Sequence, residues 1–154
     1  MAGLMNKRQA LVLSLALAVI VEYILGGFVT FDDKSNSGFA LNSLKLTWPA
    51  VLPLVHRAFA LFLILFWIAG AIMLRRSRAS GFAHATAGLV VIQAIIGAFI
   101  PMTLSSPMLN NYVVIAHFAV GGLLTIGAGF TLYLGWLPSS DQQESTARPQ
   151  PSTR

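Results

Sequence analysis

Residues 51–74 read VLPLVHRAFALFLILFWIAGAIML. Apart from His56 and Arg57, this run is apolar for longer than the roughly 20 helical residues that a hydrocarbon core of about 30 Å requires. Three similar stretches surround it, Ala10 to Phe31, Phe82 to Leu104 and Tyr112 to Trp136. The chain is 56% hydrophobic and 10% charged, with mean hydropathy +0.73. These values lie far from a soluble composition. The expected fold class is an all-α integral membrane bundle of four transmembrane helices, spanning 10–31, 51–74, 82–104 and 112–136. Continuous apolar runs exclude barrel strands, which are about ten residues long and alternate in polarity.

The net charge of +5 follows topology and does not indicate a nucleic-acid partner. Lys7 and Arg8 precede the first span, and Arg75, Arg76 and Arg78 separate the second from the third. The connection after the first span sets Asp32 and Asp33 against Lys34 and Lys45, and the connection after the third carries no charge. The positive-inside rule then places both termini in the cytoplasm. The first span is too long for a signal-peptide apolar region and lacks a convincing cleavage site. Domain organisation reads as one transmembrane domain, 1–137, followed by a tail, 138–154. That tail, PSSDQQESTARPQPSTR, has the composition of a disordered segment.

The spans look like two copies of one hairpin. Glu22 precedes Gly26 by four residues in the first span, and Gln93 precedes Gly97 by four in the third. His56 and His117 each lie five residues in from the outer end of the second and fourth spans. Such a pattern describes a parallel internal repeat with its axis along the membrane normal.

At a rise of 1.5 Å per residue, both histidines sit roughly 7 to 8 Å below the outer helix ends. Two readings stand for them. Imidazoles from two helices at one depth suit the axial ligation of a haem iron. Equally, a membrane histidine can serve as an interhelical hydrogen-bonding residue. Gly121, Gly122, Gly127 and Gly129 supply either space for a macrocycle or close helix packing, and Phe59, Ala60, Leu63 and Trp67 form an apolar wall below His56.

Arg57 points about 100° away from His56 around the helix, as an interface anchor or as a partner for haem propionates. Glu22 is the sole acid in any span, about 6 Å deeper than the histidines. A carboxyl at that depth is costly and suits proton transfer. Gln93 is its uncharged counterpart, and His84 falls at the opposite membrane side from the histidine pair. With no cysteine in the chain, thiolate metal sites and Cys-attached haem are excluded.

The ordered set Leu25-Gly26-Gly27-Phe28-Val29, Trp48-Pro49, His56-Arg57, Gln93-Ala94-Ile95-Ile96-Gly97 and Ala116-His117-Phe118-Ala119 resembles one half of a heme A synthase. The resemblance covers about residues 8 to 136. That family oxidises a methyl group of heme O to the formyl group of heme A. Its members typically carry two four-helix halves, each with a histidine pair. The resemblance implies a compact single-half enzyme in which His56 and His117 ligate the iron of a haem b cofactor, with heme O as substrate. It places Arg57 near the propionates and Gln93 at the haem pocket. It further implies a respiratory-chain electron acceptor, a homo-oligomer that supplies a second haem site, and residence as a multi-pass protein of the prokaryotic plasma membrane, surrounded by lipid. The family's glutamate three residues before the second-span histidine is replaced here by Pro53, and the outer-loop cysteine pair of many members is absent. Glu22 is the candidate to supply the displaced carboxylate. A non-enzymatic haem b protein for electron transfer or haem handling is the alternative expectation.

Overall fold

The structure is a computed structural model that describes residues 5–32 and 48–137. Four helices account for nearly all of it: α1 (Lys7–Asp32), α2 (Trp48–Leu74), α3 (Ser80–Phe99) and α4 (Pro107–Trp136). A single 3-10 turn, Pro101–Thr103, follows α3, and the described residues contain no strand. All four helices contain stretches long and apolar enough to cross a membrane, at Lys7–Val29, Val51–Leu74, Ser80–Thr103 and Pro107–Trp136. The segment 33–47 and the tail 138–154 lie outside the described residues, so the readings of the outer loop and of a disordered tail fall there too.

Local chemistry fixes the helix ends. Pro101 ends α3 earlier than the apolar run does, because proline lacks the N–H that continues a helix. The chain then tightens into the 3-10 turn, where the Thr103 hydroxyl donates to the carbonyl of Ile100 at 2.9 Å. Asn110 ties this turn to α4, donating to Ile100 O at 3.0 Å and to Thr103 Oγ1 at 2.9 Å. Pro107 occupies the first turn of α4, where no N–H is needed, so α4 starts five residues before the apolar run at Tyr112.

Each helix packs against its two neighbours in the cyclic order α1, α2, α3, α4. Among the described residues, the diagonal pairs α1/α3 and α2/α4 have no Cα atoms within 8 Å of each other. The start of α1 and the end of α4 meet where Arg8 donates to the carbonyl of Leu137 at 2.6 Å. The short connection Arg75–Ala79 joins α2 to α3 at that same end, because α2 runs antiparallel to α1. This end carries Lys7, Arg8, Arg75, Arg76 and Arg78 and is referred to as the basic end.

Tight packing concentrates in the half nearest the basic end. Val12, Leu15, Val19, Trp67, Leu74, Thr86 and Thr131 are all but fully buried. Glycines let the backbones close in, as small residues do between membrane helices. A Cβ at Gly135 would lie 2.5 Å from Val12 Cγ1, one at Gly70 would lie 2.7 Å from Leu15 Cδ1, and one at Gly127 would lie 2.5 Å from Thr86 Oγ1. Beyond Leu63, Val90 and Leu124 the buried side chains thin out to Leu52, Glu22 and Thr103. Trp67, fully buried, floors the less tightly packed half.

Candidate functional site

The polar groups of the spans gather in that less tightly packed half. His56 and His117 stand on α2 and α4, the diagonal helices. Their backbones are kept apart because α1 and α3 intervene on either side.

Each imidazole is seated by the helix preceding its own. His56 Nδ1 lies 3.1 Å from Glu22 Oε1 on α1. One helical turn further along α1, a Cβ at Gly26 would come 3.1 Å from His56 Cε1. Residues four apart share a helix face, so Glu22 and Gly26 together form a grip and a flat seat. On the other side, Gln93 Nε2 and His117 Nε2 are 3.1 Å apart, and a Cβ at Gly97 would come 2.9 Å from His117 Cε1. The amide N–H donates to the imidazole in this arrangement. Gly97 is four residues after Gln93, so α3 repeats the device of α1.

Burial makes these contacts consequential. The Glu22 side chain is 10% exposed and the His56 side chain 19%. Glu22 Oε2, Gln93 Oε1 and Nδ1 of His117 are buried without a hydrogen-bond partner, and Nδ1 of His56 meets the carboxylate closely but outside hydrogen-bond geometry. Buried polar atoms of a membrane bundle ordinarily find partners. Glu22 with His56 and Gln93 with His117 thus form two polar pairs inside an apolar half-bundle.

Not every candidate residue converges on it. Arg57 follows His56 on an exposed part of α2. His84 lies near the basic end, where its Nδ1 donates to the carbonyl of Ser80 at 2.8 Å, and it belongs to a different region. Of the α4 glycines, Gly127 serves close packing against Thr86, whereas a Cβ at Gly121 would meet Gln93 Nε2 at 3.2 Å and Tyr23 at 3.8 Å. Gly122 and Gly129 have no atom within 4 Å of a Cβ position. Gly129 borders a shallow depression with Leu13, Leu132 and Tyr133 that is remote from the histidines. Tyr23 is a residue that sequence reasoning missed. So is the seating role of Gly26 and Gly97, although their four-residue spacing from Glu22 and Gln93 was the available signal.

The donor set limits what the site can hold. A bare transition-metal ion bound by side chains takes about four ligands. The described residues contain no group of three or more His, Asp or Glu side chains placed to hold a metal ion. Two imidazoles suffice when the metal arrives with equatorial ligands of its own.

No family model, curated protein or solved structure matches this chain. The fold and site define a class only, a four-helix protein of membrane-spanning character with a paired-histidine polar site in one half.

Proposed function

We propose that the chain is a haem-binding membrane oxidoreductase of the heme A synthase type, with His56 and His117 as axial ligands. The observation that carries the haem reading is the matched pair of seats, Glu22 with Gly26 under His56 and Gln93 with Gly97 under His117. Metal-bound histidines are commonly oriented by an acceptor at the other ring nitrogen; Glu22 Oε1 stands near Nδ1 of His56 in that sense, whereas Gln93 donates to Nε2 of His117 and takes that role only with its amide turned to present Oε1. His56 and His117 stand on diagonal helices, which suits ligands contributed from two sides of a macrocycle. The same two seats support the parallel repeat of hairpins α1–α2 and α3–α4, and the basic end supports cytoplasmic termini in a plasma membrane.

A bound haem supplies one-electron redox chemistry. The protein's part is to orient it and to handle protons. Arg57, one residue from His56 near the helix end, is placed to attract propionates while its stem lies along the apolar surface. Glu22 Oε1 faces His56, and Oε2, buried without a partner, is the carboxylate oxygen that receives a proton. The reaction assigned by the motif resemblance converts the methyl group of heme O to formyl. With water as oxygen source it releases four protons and four electrons per methyl group, the electrons passing to a respiratory-chain acceptor. A second haem position is assigned to another copy of the chain, in a homo-oligomer.

Pro53 favours a second reading. It occupies the α2 interior where the resembled family has a glutamate, so a haem b protein that carries electrons or delivers haem retains the ligands without that carboxylate. Co-expression with a heme O synthase separates the two. Heme A in the extracted haems supports the enzyme. Heme O alone, with the protein present and haem-loaded, leaves the electron-transfer reading.

A further inference from the structure

The two imidazoles are seated alike but backed by different chemistry. His56 faces a carboxylate, and His117 faces a neutral amide. A carboxylate that accepts an imidazole N–H locks the ring and increases the electron donation of its other nitrogen, and the effect is strengthened by a low local dielectric. The Gln93 amide instead donates to Nε2 of His117, which fixes that ring without adding to its electron donation, and a neutral hydrogen bond of this kind is roughly half as strong as one to a charged group.

Resting on the paired-imidazole reading above, we propose that the ligands are not equivalent. His56 is the anchoring ligand, held by Glu22 as its positioning residue. His117 is the exchangeable ligand, and a small neutral molecule enters on the α4 side by displacing it. The site thus has a ligand backed by a carboxylate on α1 and a ligand backed by a neutral amide on α3.

The test is a haem titration of the purified full-length chain in detergent, followed by carbon monoxide titration of the reduced, loaded protein. His117→Ala is expected to retain haem and to bind carbon monoxide at least about tenfold more tightly than wild type. His56→Ala is expected to lose haem affinity by more than about tenfold. Glu22→Gln, close to the native side chain in size, is expected to weaken haem binding about 10- to 100-fold, the range for partners of metal-bound histidines, and Gln93→Ala by less. Equal losses in the two histidine variants, or retention in His56→Ala with loss in His117→Ala, overturn the asymmetry. If either histidine variant fails to fold, Glu22→Gln weakening binding no more than Gln93→Ala overturns it alone. Wild-type protein that takes up no haem overturns the paired-ligand reading itself, an outcome distinct from symmetric loss.

Discussion

His56 Nδ1 lies 3.1 Å from Glu22 Oε1, although the apolar runs alone set the two residues about 6 Å apart in depth. The helix α2 begins at Trp48, three residues before its apolar run at Val51, which sets His56 deeper below the helix end and narrows that gap. A charge-capable contact in the less tightly packed half of an apolar bundle is expensive to maintain, and its presence there marks the site more sharply than either residue alone. Glu22→Leu removes the carboxylate and leaves the imidazole with an apolar neighbour. A loss of haem affinity of about tenfold or more is expected, with circular dichroism unchanged, since a leucine at this buried position replaces the volume.

Gly97 provides a steric counterpart. A methyl group added there would stand 2.9 Å from His117 Cε1, whereas Gly27 has open space. Gly97→Ala forces the ring to shift or the helices to separate, at a cost of about 1 to 3 kcal/mol. Thermal unfolding in detergent is expected to fall for Gly97→Ala and to stay within error for Gly27→Ala. Haem affinity is expected to follow the same order.

Trp67 tests the packed half independently of the site. It is fully buried, and truncation to alanine opens a cavity that costs about 3 to 5 kcal/mol. Leu65, 70% exposed and facing the lipid side, is expected to cost little when truncated. A melting-temperature series on the two variants checks this. Comparable drops for both are inconsistent with Trp67 as the floor of the bundle.

His84→Ala is expected to leave haem content and absorbance unchanged. Its Nδ1 is already committed to the Ser80 carbonyl near the basic end. A lost or shifted haem spectrum in this variant assigns His84 to the site and removes the one-ended arrangement.

The helices were legible because twenty-odd consecutive apolar residues leave few alternatives in lipid. The polar-to-glycine spacing of Glu22 with Gly26 and Gln93 with Gly97 was legible as well. Which helix each histidine turns toward was not. Helix rotation is set by packing between segments, here by Leu15 against Gly70 and Val12 against Gly135, and these contacts are far apart in sequence. The contact of Glu22 with His56 was also hidden, because the apolar run sets the start of α2 at Val51 whereas the helix begins at Trp48. The early end of α3 was readable in principle from Pro101, while the apolar run alone carried the span past it to Leu104.

The central claim is that His56 and His117 hold a haem between them. The most direct measurement is the absorption spectrum and haem stoichiometry of the protein purified from haem-replete cells, for wild type and for the His56→Ala/His117→Ala double variant. The account predicts stoichiometric haem with a six-coordinate, low-spin spectrum in wild type and loss of that spectrum in the folded double variant. A wild-type protein without haem absorbance, or a double variant that keeps the same spectrum, contradicts it.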